Sequence, residues 1–504
     1  MLQSLKLRFN DLPKTIPKEV LTGRRPVNLL GAEACAYDVA EALVSGGVLP
    51  EAIYNHAVKL FGREGAAELI YLTGVYCLVA VTLNGYDVKA PTAHSVTPAE
   101  TTRPSEYQTL NPVTEKVEKV FPETTDAEVQ AALDTAQKVH QNDWRLRPVT
   151  ERAGLVAQAA FILRQQSEKF AQLMTREMGK LIDQSRYEVV LTADILEYYA
   201  SHGEKFLEPK LEPEAPGVVL ATEPIGVILA IEPWNFPLYQ LVRVAAPQVV
   251  AGNVVIFKHA PSVPQCALAF AHLFEEVGFP TGVYTNLLCT VDQVHMLIDD
   301  FRVRAVTLTG SERAGASVAE RAGRNLKKVV LELGGSDPLV VLPDADLEDA
   351  LNQGVMGRMI CMGQACVASK RFIVIGQERG KLFLDGMTRR MGALQAGDPA
   401  DSKTSLGPLV SERALNDLLD QIEMAKANGD HVVLGGKRMN RPGWYLEPTI
   451  TTDISPENPF FQQEASGPVA SFYVVDTEEE AIQLANATKF GLGGAVFGAD
   501  VIHA

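Results

Sequence analysis

The sequence predicts an α/β fold: a doubly wound parallel sheet, a second α/β part after it, and a short all-helical segment before it. Three observations lead there. Short apolar, β-branched runs recur at 227–231, 254–257, 283–288, 305–308 and 329–331. Such runs, without polar alternation, suit strands buried on both faces. Helical patterns at 239–250, 264–277, 291–300 and 313–322 separate them, and strand–helix alternation of this kind winds into a parallel sheet. Finally, an apolar fraction of 46% beside 21% charged residues is that of an ordinary globular chain.

Taken in order, 32–45 and 50–61 carry apolar residues at three- and four-residue spacing, as amphipathic helices do. The stretch 69–83 is uncharged but shorter than the roughly 18–20 residues that span a bilayer, so a buried helix is expected there. Residues 93–106 are polar and proline-bearing, a linker composition. Helices at 126–140, 149–178 and 185–202 precede the first strand. A second set holds a helix at 347–359 and strands at 371–375, 432–434 and 469–475. The expected domains are therefore a helical part (1–92), a linker (93–106), a cofactor domain (107–334) and a catalytic domain (335–504).

Charge and cysteine usage exclude several classes. A net charge of −16 argues against a nucleic-acid or anionic-membrane surface, which would want clustered Lys and Arg. The six cysteines show no CxxC or His-rich spacing, so neither a disulfide framework nor a metal site is expected. Without an apolar run and cleavage site near Met1, a cytoplasmic location is expected.

The chemistry gathers around Cys366 in Gly363-Gln364-Ala365-Cys366 and Glu332 in Glu332-Leu333-Gly334-Gly335. A thiol and a carboxylate base are what a covalent, two-step oxidation of an aldehyde needs. Read singly, each has a plainer role: a cysteine fills cores, and a strand-end Glu is solvated. Asn235, in Pro233-Trp234-Asn235-Phe236-Pro237, can donate its amide to a developing oxyanion, or close an Asx-turn. Gly310-Ser311 opens a helix, where free backbone N–H groups suit a pyrophosphate, although Ser311 is also a plain N-cap. Cys361 is either a packing residue or a neighbouring thiol within reach of Cys366.

From about residue 107 onward these motifs, in this order, resemble the NAD(P)-dependent aldehyde dehydrogenase superfamily. Lys258-His259-Ala260-Pro261-Ser262 and Val367-Ala368-Ser369-Lys370-Arg371-Phe372 look most like its succinate-semialdehyde dehydrogenase branch. The resemblance implies Cys366 as nucleophile, Glu332 as base and Asn235 with the Cys366 N–H as oxyanion donors. It also implies cofactor contacts from Ile231, Trp234, Lys258, Ser262, Gly310, Ser311, Leu333 and Glu464. Pro261 stands where many NAD-preferring members carry Glu, so NADP fits as well as NAD. Arg358, before the thiol loop, would pair a substrate carboxylate or be a solvated helix-end residue. Residues 206–222 resemble the family's oligomerisation hairpin, which implies a homo-oligomer.

Two departures accompany the resemblance. Ser466 replaces the usual Phe in Glu464-Ala465-Ser466-Gly467-Pro468, removing an aromatic wall beside the cofactor. The sequence also stops soon after Gly491-Leu492-Gly493-Gly494, before the strand that would pair with the hairpin, so weakened association is expected. Residues of about 20–90, notably Val58-Lys59-Leu60-Phe61-Gly62 and Leu78-Val79-Ala80-Val81-Thr82-Leu83-Asn84, resemble the C-terminal part of carboxymuconolactone decarboxylase-like proteins. Three readings stand: an aldehyde dehydrogenase acting on a small aldehyde, a cofactor-independent thiol esterase, and a truncated fusion without catalysis.

Overall fold

The computed structural model describes residues 31–44, 49–85, 106–212, 215, 217–500 and 502–504, with the backbone alone for 33, 41, 43, 44, 68 and 71–85. The chain divides into two compact units, Met1–Thr101 and Thr102–Ala504. The expected linker falls almost wholly outside the described residues.

In the first unit, a helix at Ala32–Val44 is followed by a long one at Glu51–Gly85. Two separate helices are expected there from the sequence, and two helices do meet there, at a kink at Gly62, whose φ of 75° leaves the helical region. Cys35, Val39, Ala57 and Ala66 form its buried cluster. Of the apolar stretch expected at 69–83, Leu69 and Ile70 pack against this cluster, and the side chains of 71–83 lie outside the described set. Among the described residues, no helix is long and apolar enough to cross a membrane.

The second unit opens with a hairpin of β1 (Gln108–Asn111) and β2 (Lys116–Val120), which the sequence reading did not anticipate. Helices follow at Asp126–Asn142, Val149–Gln165, Ser167–Met178 and Ile182–Leu207. The single helix expected over 149–178 is broken at Gln166, where the backbone leaves helical geometry. A short antiparallel pair, β3 (Lys210–Leu211) and β4 (Val219–Leu220), stands apart with Leu211, Val218, Val219 and Leu220 exposed.

Five parallel strands then build the first large sheet: β5 (Val227–Ile231), β6 (Val254–Lys258), β7 (Tyr284–Asn286), β8 (Val303–Thr309) and β9 (Lys328–Glu332). Their spatial order is β7-β6-β5-β8-β9. Chain order reverses between β5 and β8, so a crevice opens at their carboxyl ends, and β9 lies next in register. The connecting helices begin and end on local signals. Pro264 opens Pro264–Val277, and left-handed Gly278 closes it.

The second sheet runs β12-β13-β14-β11-β10-β15. Its members are β10 (Asp337–Val341), β11 (Ser369–Ile375), β12 (His431–Leu434), β13 (Thr449–Thr452), β14 (Val469–Val475) and β15 (Ala495–Phe497), with only β12 antiparallel. Leu339, Phe372, Phe383 and Phe472 are in its core.

Candidate active site

Cys366 sits at the end of a loop with unusual backbone. After the helix Leu347–Met359, three consecutive residues take positive φ: Cys361 (52°), Met362 (55°) and Gly363 (74°). Two of them are not glycine, a conformation that costs energy and persists only where surroundings enforce it. Those surroundings are explicit. The Cys361 N–H donates to Gln184 Oε1 at 2.9 Å, and the Val410 N–H to Gln364 Oε1 at 3.0 Å. Arg358 Nη2 donates to the Gly363 carbonyl at 2.7 Å. No side chain can replace Gly363, because a Cβ there would come within 2.0 Å of the Gly467 carbonyl oxygen.

Arg358 corrects the expectation. It is neither a solvated helix-end residue nor open toward a substrate, but fully buried beneath the thiol loop. The chain turns back over it immediately after its helix ends. Burial pulls its basicity down to about 9. Its Nε and Nη1 have no hydrogen-bond partner.

Asn235 is brought onto this loop. Its Nδ2 donates to the Gln364 carbonyl at 3.0 Å, and its Oδ1 accepts from the Phe236 N–H at 3.1 Å. An amide nitrogen has two hydrogens, so one bond to Gln364 leaves a second N–H for a ligand. A buried carboxylate fixes the Asn235 loop: Glu188 accepts from the Leu238 N–H at 2.8 Å and the Tyr239 N–H at 3.1 Å. Lys180 pairs with Glu188 and lies 3.8 Å from the centre of the Phe236 ring. The Cys361 thiol donates to the Asn235 carbonyl at 3.2 Å, so this sulfur is part of the loop packing; Cys361 and Cys366 are both free.

Cys366 is half-buried, in contrast to the buried Cys35, Cys266, Cys289 and Cys361. Burial pushes its thiol up, opposed by the nearby Lys370 ammonium. Lys370 Nζ donates to the Cys366 carbonyl at 2.7 Å and to Ala365 O at 3.0 Å, and lies 3.3 Å from Glu464 Oε1. Burial pulls Lys370 down to about 8.

Glu332 ends β9, and the two glycines after it let three segments meet. A Cβ on Gly334 would strike Glu464 Oε2 at 2.2 Å, and one on Gly335 would come within 2.9 Å of the Cys366 carbonyl oxygen. The Glu332 carboxylate itself pairs with Arg243 Nη2 at 3.3 Å.

The cofactor candidates line the carboxyl ends of the first sheet. Ile231 and Lys258 end β5 and β6 as register partners, and Trp234 follows, packed against the core. Lys258 is largely buried beside the Tyr107 ring, which depresses its basicity. Ser262 Oγ and both polar atoms of the Asn286 side chain are buried without partners, as a site built to hydrogen-bond a ribose would leave them. The Gly310 N–H donates to the Glu332 carbonyl at 2.9 Å, and Ser311 caps the helix Glu312–Arg324 through a bond from the Ala314 N–H at 3.3 Å. Leu333 packs against Gly315 of that helix. Lys370 and Arg243 are site residues that sequence reasoning missed. Lys370 stood inside a quoted motif, while Arg243 shows itself only once strands are neighbours. Among the described residues, no group of three or more His, Cys, Asp or Glu is placed to hold a metal ion.

Comparison with known proteins agrees with this geometry. The model of the aldehyde dehydrogenase family matches residues 99–504. The succinate-semialdehyde dehydrogenase [NADP(+)] of Deinococcus radiodurans is 45% identical over 412 residues, covering 81% of this chain and 86% of that protein. A probable succinate-semialdehyde dehydrogenase [NADP(+)] from Synechocystis sp. is 45% identical over 390 residues, covering 77% and 86%. Among solved structures, succinic semialdehyde dehydrogenase from Streptococcus pyogenes in complex with NADP+ superposes with a TM-score of 0.77 at 42% identity, covering 79% of this chain and 87% of that one. A structure of Gox0499 gives 0.78 at 48% identity, with the same coverage. This chain belongs to the aldehyde dehydrogenase family, in its succinate-semialdehyde dehydrogenase-like branch.

Proposed function

We propose that this chain oxidises succinate semialdehyde to the dicarboxylate with NADP, through a thioester on Cys366. The observation that carries the reading is the meeting of Cys366, Asn235 and the Glu332–Gly335 strand end at the open edge of a parallel sheet. Names of relatives at 45% identity support the substrate and the cofactor. Pro261, where many NAD-preferring members carry Glu, leaves a 2′-phosphate unrepelled.

In this reading the Cys366 thiol loses its proton to Glu332, aided by the Lys370 charge. The thiolate adds to the aldehyde carbon, and the carbonyl electron pair moves onto oxygen. That oxyanion is met by the free N–H of Asn235 and the Cys366 backbone N–H. A bound nicotinamide would supply the acceptor for the hydride of the thiohemiacetal carbon, whose loss gives the thioester. Glu332 passes that first proton to solvent and then takes one from water, which attacks the thioester; the C–S bond breaks, the acid leaves, and the proton returns to the Cys366 sulfur. Lys258, Ser262 and Asn286 would hold the adenosine ribose, and Glu464 the nicotinamide ribose. Ser466 would leave the nicotinamide side of the site more open than an aromatic residue there.

The exposed β3–β4 pair fits a role in homo-oligomer formation, since contiguous exposed apolar residues mark contact surfaces. The esterase and non-catalytic readings are not favoured by the relatives. The test is nicotinamide reduction in purified protein supplied with succinate semialdehyde and either NAD or NADP. Faster reduction with NADP, lost in Cys366→Ala, is expected; ester hydrolysis without any reduction would overturn the reading.

A further inference from the structure

The thiol loop and the Asn235 loop are closed into one ring of hydrogen bonds, and Gln364 enters that ring through main chain and side chain alike. Its carbonyl accepts from Asn235 Nδ2 at 3.0 Å. Its N–H and its Nε2 both donate to the Cys361 carbonyl, at 3.0 and 3.1 Å. The ring closes where the Cys361 thiol donates to the Asn235 carbonyl at 3.2 Å. Outside it, Gln364 Oε1 accepts from the Val410 N–H at 3.0 Å. Gln364 is 2% exposed, so water is not at hand to replace a lost partner.

The orientation of the Gln364 amide follows from its neighbours. Val410 offers only a proton and the Cys361 carbonyl only lone pairs, which fixes oxygen toward the first and nitrogen toward the second. An apolar side chain of the same length would leave both groups unbonded. Asn235 is held as tightly. With Oδ1 taken by the Phe236 N–H and one Nδ2 hydrogen by Gln364, its remaining N–H has a single direction left. The Cys366 N–H lies two residues beyond Gln364, past the fully buried Ala365.

Resting on the reading of Asn235 and the Cys366 N–H as oxyanion donors, we propose that Gln364 is the positioning residue that sets both. Its carbonyl aims the Asn235 amide, and its side chain braces the backbone that leads to Cys366. The thiol itself depends on Gln364 less. The charge that favours the thiolate comes from Lys370, whose bonds to the Ala365 and Cys366 carbonyls do not run through the Gln364 side chain. Two reactions of the same sulfur therefore part company. Addition to a carbonyl develops an oxyanion and needs both donors, whereas displacement at the carbon of iodoacetamide develops none.

The test compares acetylation of Cys366 by p-nitrophenyl acetate with its alkylation by iodoacetamide, in the full chain without nicotinamide. In the first reaction the sulfur bonds the acetyl carbon, and p-nitrophenolate leaves with the electron pair of the broken C–O bond. Its burst measures the rate. Gln364→Met should slow acetylation by about a hundredfold, as a donor misplaced near 1 Å does, and leave alkylation at the wild-type rate. Gln364→Asn keeps the amide but is one methylene too short to reach both partners; it should give the same split if Gln364→Met does not fold. Equal loss in both reactions, or loss in neither, would overturn the proposal. In an Asn235→Ala background Gln364→Met should cost less than in wild type, because one of the two donors it sets is gone. A full second loss there would contradict it as well. Wild-type acetylation in Asn235→Ala alone would remove the oxyanion reading, and the proposal with it. Slow acetylation in Asn235→Ala beside wild-type acetylation in Gln364→Met would sink the proposal only.

Discussion

Lys370 Nζ donates to the backbone carbonyl of Cys366 at 2.7 Å, placing a buried ammonium directly under the reactive thiol. Replacing it with Met should remove the charge that favours the thiolate. Alkylation of Cys366 at neutral pH should slow by about tenfold. The difference should shrink above about pH 8, where Lys370 itself loses its proton. Peptide mapping of iodoacetamide adducts against pH measures this directly, since the other described cysteines are buried.

Arg358→Met tests the corrected place of that residue. Losing the bond to the Gly363 carbonyl should let the thiol loop shift, and a misplacement near 1 Å costs about a hundredfold in kcat. KM for the aldehyde should change little. A rise in KM with kcat intact would instead mean that Arg358 binds the substrate carboxylate.

Gly363→Ala should destabilise the protein by at least about 2 kcal/mol, through left-handed backbone and collision with Gly467. Chemical denaturation provides the value.

Glu188→Ala removes one half of a buried pair and leaves Lys180 uncompensated. A loss of about 3–5 kcal/mol is expected. The Leu238 and Tyr239 N–H groups lose their acceptor as well, so residual folded protein should show lower kcat from a displaced Asn235.

Double substitution of Leu211 and Leu220 by Asp should lower the mass found by light scattering if the exposed hairpin joins subunits.

Much of the strand–helix alternation was legible because each boundary carries a local cause. Pro264 and Gly278 bracket one helix, and unbroken apolar runs mark β5 and β6. The break at Gln166 carries neither Gly nor Pro and had no periodic signature, whereas the kink falls on Gly62, directly after the helix expected over 50–61. Cys366, Glu332 and Asn235 stood out through residue type and neighbours. Lys370 and Arg243 did not, because their importance comes from partners that only folding brings near: the Cys366 carbonyl and Glu464 for one, Thr309 and Glu332 for the other. Arg358 was misjudged for the same reason: position near a helix end does not say which way the following loop folds.

The most direct measurement is mass spectrometry of the active-site peptide in Glu332→Gln, mixed with succinate semialdehyde and NADP and quenched rapidly. The account predicts an acyl adduct on Cys366 that forms more slowly than in wild type, accumulates because water is no longer activated, and is absent without NADP. Reduction of nicotinamide with no adduct on Cys366, or with the adduct on another cysteine, would contradict it.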